Sequence, residues 1–262
     1  MTNLFQTNSR NSKGVKNWQT TFKFNSTGLP FEEIVSNVKS LEENAIFANI
    51  LILVTATRNL KVQYISKNVQ KILGYSQSDI LNAESSKLSE IRSIDQKSYF
   101  SDLVKFGSNF ISKSPHKNEK ALLRGFYCGN RWQRKNGSTV RFLVRLEIIN
   151  NCNKLPPYTI TYYEDVTHLL KGSEYWVYYE SVSKNGSYSQ FYTKDGKETR
   201  PITTREAEIL KLIAIGKSTK EVAEELFISP ETVSQHRKNM IRKTLAKDTS
   251  SLVQLCKTCG II

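Results

Sequence analysis

Apolar positions in the first two thirds of the chain follow a mostly β-type pattern. Short apolar or alternating runs predict strands, and a stripe that starts at Val69 predicts a short helix ended by Gly74. A longer helical stripe covers residues 95–111. The predicted strands cover residues 50–55, 62–66, 121–133, 139–149 and 158–165. This order of elements predicts an α+β domain over residues 45–170.

Two Asn-Gly pairs mark tight turns in this β-rich part. Asn136-Gly137 separates two long predicted strands, and Asn-Gly is the residue pair that two-residue hairpin turns favour. The sheet is therefore expected to be antiparallel, with flanking helices. Asn185-Gly186 predicts a second hairpin within residues 172–200, which we expect to pack on the sheet or between domains.

From residue 202 the spacing of apolar residues becomes helical. A capping box, in which a Ser or Thr is followed three residues later by Glu, begins each of the first two helices, at 203–206 and 218–221. Ser229 as N-cap and Pro230 at the first helical position begin a longer third helix. A fourth helix is expected to end at Gly260.

The third helix has two different faces. Val233, Met240 and Thr244 fall on one side. The opposite side is polar, cationic and free of acids, and it carries Ser234, Gln235, Lys238 and Arg242. An ordinary amphipathic surface helix is the alternative interpretation. A short helix, a brief turn and a longer basic helix nevertheless form the pattern of a helix-turn-helix.

Residues 202–262 resemble the LuxR/NarL-type four-helix DNA-binding domain of bacterial transcription regulators. The matching stretch runs I-T-T-R-E-A-E-I-L-K-L-I-A-I-G-K-S-T-K-E-V-A-E-E-L-F-I-S-P-E-T-V-S-Q-H-R-K-N-M-I-R-K. The resemblance places Lys220 and Thr232 near phosphates, and Ser234, Gln235 and Lys238 at base edges. The full set of expected DNA contacts is Lys220, Thr232, Ser234, Gln235, Lys238, Arg242 and Lys243.

The resemblance has further implications for the end of this domain. The fourth helix is the usual dimer surface on DNA in this family, and Gln254 lies on it. Thr244-Leu245 departs from the family, which commonly has a leucine followed by a glycine there.

Residues 45–170 resemble a PAS sensory domain, mainly in the order of their elements. Val62-Gln63-Tyr64-Ile65-Ser66, followed by Ile72-Leu73-Gly74-Tyr75, is similar to the second strand and first helix of that family. Arg134-Lys135-Asn136-Gly137-Ser138 is similar to its central hairpin, and Asp165-Val166-Thr167 to the motif that ends it. The resemblance implies a domain that senses a small-molecule ligand or a partner.

The net charge of +14 favours a polyanionic partner but does not mark a site. From Arg200 onward the chain has 11 basic and 7 acidic residues, so most of the excess lies upstream. No apolar run approaches the ~20 residues that a membrane-spanning helix needs, and the N-terminus lacks the apolar core of a signal peptide. A cytoplasmic protein without a membrane segment is therefore expected.

No cofactor or metal is assigned, and no enzymatic activity is expected. Cys256-Lys257-Thr258-Cys259 has no second pair to complete a zinc site, and Cys256 falls on an apolar helix face. His116 is expected to be exposed in a loop, and His168 and His236 to pack locally, so none is assigned as a haem ligand. The flavin photosensor motif, the phosphate-binding glycine loop and the nucleophile elbow are all missing from the sequence.

Together these patterns predict a transcription regulator whose PAS-like sensor shifts the population of homodimers that are competent to bind DNA. Double-stranded DNA is the expected partner, and RNA polymerase is a further candidate. A PAS adaptor without DNA readout and an enzyme with an unrecognised site in the PAS pocket are the alternatives. The predicted units are a tail and helix at 1–44, the sensor at 45–170, a hairpin extension and linker at 171–200, and the DNA-binding domain at 201–262.

Overall fold

The computed structural model describes residues 23–24, 30–43, 47–56, 61–81, 91, 99–151, 154–155, 157–171, 175–193, 198–199 and 202–262. Most of the predicted polar tail and the predicted start of the long helix at residue 95 lie outside these residues. Within them the chain forms a sheet unit, built on one large sheet with four helices, and a helical unit of four more helices at 202–262.

The sheet unit is organised around eight strands, and all pairs in its sheet are antiparallel. The spatial order of these strands is β10-β9-β8-β4-β5-β7-β2-β3, and β1 pairs separately with β6. The ten strands are β1 Lys23–Phe24, β2 Ile50–Ala56, β3 Val62–Ile65, β4 Lys120–Gln133, β5 Thr139–Asn151, β6 Lys154–Leu155, β7 Tyr158–Asp165, β8 Trp176–Ser183, β9 Gly186–Thr193 and β10 Glu198–Thr199. The predicted strands and the antiparallel sheet are confirmed.

Both predicted Asn-Gly hairpins are present. Gly137 lies in the turn between β4 and β5 at φ 84°, a left-handed conformation that glycine adopts without steric cost. The second turn joins β8 to β9, and β8 pairs along β4. The second hairpin therefore extends the large sheet by two long strands.

A β-bulge in β4 changes which side chains face each side of the sheet. The register with β5 shifts between Cys128 and Asn130, and Gly129 between them has φ 93°. Tyr127 and Trp132 consequently lie in the same core although they are five positions apart. Simple alternation along β4 would have placed them on opposite faces.

Helices cover both faces of the sheet. The eight helices are α1 Phe31–Glu42, α2 Val69–Leu73, α3 Gln77–Leu81, α4 Tyr99–Lys113, α5 Thr204–Ala214, α6 Thr219–Glu225, α7 Pro230–Thr244 and α8 Thr249–Thr258. On one face, α4 packs Phe106 and Phe110 into the largest core, together with α2 and α3. On the opposite face, α1 packs Ile34 and Val38 against β2.

The remaining part of that opposite face is covered by the helical unit. One continuous core contains Phe126, Trp176 and Phe191 from the strands and Leu255 and Cys256 from α8. The burial of Cys256 confirms that it is a core cysteine. Whether the predicted domain boundaries mark separately folding units stays a prediction, but the two units share this core.

His116 is buried, so the prediction that it is exposed was wrong. Its side chain is 5% exposed, and its Nδ1 lies 3.1 Å from the hydroxyl of Ser181 in β8. His116 does lie in a turn, but this turn folds back over the sheet, and the hydroxyl of Ser181 is the hydrogen-bond partner of the buried ring nitrogen. No helix among the described residues is long and apolar enough to cross a membrane.

Candidate nucleic-acid interface

The helical unit begins each of its first three helices with a side-chain cap, as the sequence predicted. Thr203 and Ser218 form complete capping boxes with Glu206 and Glu221, at the starts of α5 and α6. The hydroxyl of Ser229 accepts the backbone N–H of Thr232 at the start of α7. These bonds satisfy backbone donors that have no partner within the helix.

The turn between α6 and α7 connects the two helices of the helix-turn-helix. Phe227 in this turn has φ 55°, and its side chain is 94% exposed. On the inner side, Val222, Val233 and Met240 are fully buried. The inner face of α7 is therefore committed to the core, and its other face points away from it.

Arg237 connects three helices behind that outer face. Its guanidinium donates to the hydroxyl of Thr219 in α6 at 3.0 Å and to the hydroxyl of Thr249 in α8 at 2.9 Å. A planar guanidinium can hold two acceptors at fixed directions, so this residue fixes α7 relative to its neighbours. Sequence reasoning did not identify Arg237.

Four predicted contact residues lie on one outward face of α7. Gln235, Lys238 and Arg242 are exposed, and Ser234 is half-buried with its hydroxyl donating to the carbonyl of Pro230 at 3.0 Å. We call this set, Ser234, Gln235, Lys238 and Arg242, the outward face.

Asn239 organises the outward face and was also missed. Its side-chain carbonyl accepts from Gln235 Nε2 and from Arg242, both at 3.4 Å. The spacings of four and three residues place these side chains next to each other on a helix, so the signal was present in the sequence. One amide thus holds two potential base-contacting groups in position.

Lys220 and Thr232 lie at the starts of the two helices that make the turn. Lys220 is exposed in the first turn of α6. The hydroxyl of Thr232 lies 2.9 Å from that of Ser229, in the first turn of α7. Helix N-termini carry partial positive charge, so an anion beside these residues would be stabilised.

Lys243 does not join the other six predicted contacts. Its ammonium donates to both carboxylate oxygens of Glu206 in α5, at 3.0 and 2.8 Å, and the Glu206 side chain is only 5% exposed. Burial alone would raise the pKa of Glu206, but Lys243 and the backbone of Thr203 hold this pKa below its ordinary value. Lys243 therefore neutralises a buried carboxylate inside the helical unit.

A small cavity lies on the other side of the molecule, between α4 and the sheet. Its volume is about 30 Å³, enough for about two water molecules. Gly107 and Gly125 lie at its wall, and a Cβ at Gly107 would approach the hydroxyl of Tyr179 to 3.1 Å. The lining residues are Gly107, Phe110, Ile111, Leu123, Arg124, Gly125, Tyr127, Leu146, Ile148 and Tyr179.

Among the described residues, no group of three or more His, Cys, Asp or Glu could hold a metal ion.

Comparison with known proteins identifies the helical unit. Residues 200–256 match the family model described as "Bacterial regulatory proteins, luxR family". The response regulatory protein YgeK of Escherichia coli is 39% identical over 84 residues, which are 32% of this chain and 52% of that protein. The transcriptional regulatory protein MctR of Rhizobium johnstonii is 42% identical over 62 residues, which are 24% of this chain and 29% of that protein. The helical unit is therefore a LuxR-type helix-turn-helix domain, and the chain spans about half or less of these relatives.

Solved structures align over more of the chain but only weakly. A VqmA–ligand–DNA complex from Vibrio cholera is 15% identical, with 87% of this chain and 88% of that chain covered and a TM-score of 0.29. SdiA of Escherichia coli is 15% identical, with 97% of each chain covered and a TM-score of 0.27. Likenesses this weak carry no argument about the sheet unit. Its own geometry is that of an antiparallel sheet with flanking helices.

Proposed function

We propose that the protein is a transcription regulator that binds double-stranded DNA with α7 in the major groove. The observation that carries this proposal is the outward face, which stays exposed while the inner face of α7 is buried. Gln235 and Lys238 can hydrogen-bond base edges, and Arg242 can bind a phosphate or a guanine. The match of residues 200–256 to LuxR-type regulatory proteins supports the same use of this helix.

Phosphate contacts would come from the flanks of the outward face. Lys220 is exposed at the start of α6, and Thr232 lies at the positive end of α7. Lys243 is excluded from the proposed interface because its charge is already paired with Glu206. The proposed contacts are therefore Lys220, Thr232, Ser234, Gln235, Lys238 and Arg242.

The sheet unit is proposed to be a PAS-type sensor. The spatial order β3-β2-β7-β5-β4, with α2, α3 and α4 on one face, supports this proposal. The cavity under α4 is the proposed ligand site, and its apolar lining favours a small, largely apolar molecule. Because the cavity is only about 30 Å³, such a ligand has to displace α4 or the strands below it.

A homodimer is the proposed DNA-binding form. Gln254 and Lys257 are exposed along α8, so that side of the helix is accessible to a second copy. Two copies related by a two-fold axis would contact half-sites about one helical turn apart.

The test compares three alanine variants on two kinds of DNA. A binding site is first selected from random duplexes with the wild-type protein. Gln235→Ala and Lys238→Ala should each weaken binding to the selected site by about 1–3 kcal/mol more than binding to scrambled DNA. Lys220→Ala should weaken both about equally and flatten the salt dependence, because a phosphate contact carries no sequence information.

Lys184→Ala provides the control for the loss of a positive charge. Lys184 is exposed in the turn between β8 and β9, away from the helical unit. Its replacement should leave the preference for the selected site unchanged. If Gln235→Ala and Lys238→Ala behave like Lys184→Ala, the outward face does not read DNA, and a PAS adaptor becomes the better interpretation.

A further inference from the structure

Three adjacent strands of the sheet, β4, β8 and β9, face the α4 side with one set of side chains and the helical unit with the other. On the α4 side, Tyr127 and Tyr179 line the cavity, and Tyr192 stacks on Phe106 at 4.9 Å between ring centroids. On the opposite side, the intervening residues of β4, β8 and β9 pack against the helical unit. Those residues are Phe126, Cys128, Trp176, Tyr178 and Phe191. A single layer of backbone therefore separates the cavity from the helical unit.

Hydrogen bonds hold the helical unit against the sheet unit. The indole N–H of Trp176 donates to the carbonyl of Thr244 at 2.5 Å, in a buried position. The backbone N–H of Lys171 donates to the carbonyl of Leu245 at 3.2 Å, and that of Lys247 donates to the carbonyl of Leu169 at 3.1 Å. We call this set of bonds, between residues 169–171 with Trp176 and residues 244–247, the docking contact.

The docking contact uses a strained turn at the end of α7. Leu245 has φ 60°, a left-handed conformation that costs a residue with a side chain roughly 1–2 kcal/mol. In that conformation its carbonyl accepts from Lys171 of the sheet unit, and Leu170 and Ala246 form an isolated antiparallel bridge. The bonds from the sheet unit are made on both sides of the strained residue.

Three buried thiols lie in the same core. Cys128 comes from β4, and Cys256 and Cys259 come from α8. Burial raises the pKa of all three thiols, that of Cys256 to about 12, and Cys128 is among the groups that act electrostatically on Cys259. Because the thiolate is the reactive form, these cysteines should react slowly while the two units are docked.

The docking contact leaves the outward face of α7 free. Gln235, Lys238 and Arg242 remain exposed, while the hydrogen bonds of the docking contact reach the last residue of α7 and the turn after it. The contact thus fixes the direction of the outward face relative to the sheet without covering it.

We propose that the docking contact is a reversible latch, which sets the direction of the DNA-binding helix. A ligand in the cavity would loosen this latch through β4 and β8, the strands that line the cavity on one face and contact the helical unit on the other. Its regulatory meaning rests on the proposed function, but the latch itself does not require DNA. A ligand that enters so small a cavity pushes on Tyr127 and Tyr179. Their neighbours Phe126 and Tyr178 face the helical unit, so the push reaches the docked side.

Alkylation of the buried thiols by iodoacetamide measures the latch directly in the full chain. Peptide mass spectrometry separates Cys128 and Cys259 from Cys152. Trp176→Phe keeps an aromatic ring but removes the N–H donor, and should raise the alkylation rates of Cys128 and Cys259 roughly three- to tenfold. Leu170→Ala, which removes a buried side chain at the bridge, should raise them on the order of 30-fold.

Trp132→Phe is the matched control for Trp176→Phe. Trp132 is buried in the same sheet but in the core on the α4 side. Its replacement should change both alkylation rates less than about twofold while circular dichroism shows a folded protein. If Trp176→Phe and Leu170→Ala match Trp132→Phe, or if Cys259 reacts only when the whole chain unfolds, there is no separate latch.

The coupling to the cavity is tested by adding one methyl group there. Gly107→Ala places a Cβ 3.1 Å from the hydroxyl of Tyr179, so the ring has to move. Alkylation of Cys259 should rise about twofold, since part of this strain reaches the docked side. Ser112→Ala, at an exposed position of α4, should leave the rate unchanged. Equal rates in the two variants would overturn the coupling. The assay contains no DNA, so its outcome does not depend on whether the protein binds DNA.

Discussion

Replacing Lys243 by methionine tests whether this lysine stabilises the helical unit or contacts DNA. In the folded protein its ammonium lies 2.8 Å from one oxygen of Glu206 and 3.0 Å from the other. Lys243→Met keeps most of the side-chain length but removes the charge. It leaves a carboxylate that is 5% exposed, held only by its capping bonds to Thr203.

The expected cost follows from the burial of the pair. Removing one partner of a fully buried ion pair costs about 3–5 kcal/mol, and a hydrogen bond to a charged group contributes about 1.5–3 kcal/mol. Lys243 is 21% exposed, and Glu206 keeps its bonds to Thr203, so solvent and the cap compensate in part. We therefore expect Lys243→Met to lower the free energy of unfolding by about 1.5–3 kcal/mol at pH 7.

The pH dependence gives a second, independent signature. Because the pKa of Glu206 is lowered in the folded protein, its contribution is complete above the pKa of an unfolded glutamate, about 4.3. That contribution is lost as the pH falls through the lower, folded pKa. The stability difference between wild type and Lys243→Met should therefore shrink as the pH falls below about 4.3. Urea unfolding followed by circular dichroism measures it.

Two further variants identify the cause. Glu208→Gln removes the carboxylate of an exposed pair on the same helix and should cost at most about 0.5 kcal/mol. Adding Glu206→Gln to Lys243→Met removes the unpaired charge and should restore much of the stability. If Lys243→Met unfolds like wild type but loses affinity for DNA as Lys238→Ala does, Lys243 contacts DNA and its assignment to the buried pair is wrong.

Two predictions concern the turn and the cap of the helix-turn-helix. Phe227→Asn should stabilise the protein by about 0.5–1 kcal/mol in urea unfolding, because asparagine tolerates φ 55° and an exposed ring loses no burial. Ile215→Asn, exposed at an ordinary φ of −96°, should give no such gain, and equal effects would refute the explanation. Ser229→Ala should cost about 1 kcal/mol, because the N-cap of α7 is lost. Ser250→Ala, exposed in α8, is its control, and an equally large loss there would argue against a capping effect.

The parts of the fold that sequence predicts well are those governed by local rules. The Asn-Gly turns predicted both hairpins, and the capping boxes at Thr203 and Ser218 predicted the starts of α5 and α6. In each of these, the residues that decide the structure are within a few positions of each other. The outward face of α7 was equally accessible, since helical spacing alone separates it from Val233 and Met240.

Asn239 apart, the features that sequence did not predict depend on residues far apart in the chain. Lys243 and Glu206 are 37 positions apart, and helical spacing cannot show that they meet. His116 is buried, and its ring nitrogen is hydrogen-bonded to the hydroxyl of Ser181, which lies 65 positions later in the chain. The bulge at Gly129 reverses the alternation of β4, so a strict period of two assigns Trp132 to the wrong face. Each case requires the packing of separate elements to be known.

The contact between the two units connects these observations to regulation. At Thr244 and Leu245 the resemblance to LuxR-type domains leads one to expect a leucine followed by a glycine, and both carbonyls accept hydrogen bonds from the sheet unit. Surrounding contacts can compensate for the strain of a left-handed residue other than glycine, and here the bond from Lys171 to Leu245 and the bridge between Leu170 and Ala246 are such contacts. This expected departure thus coincides with the end of α7, which the sheet unit holds through hydrogen bonds. On this basis the end of α7, rather than its outward face, is where the proposed sensor would act.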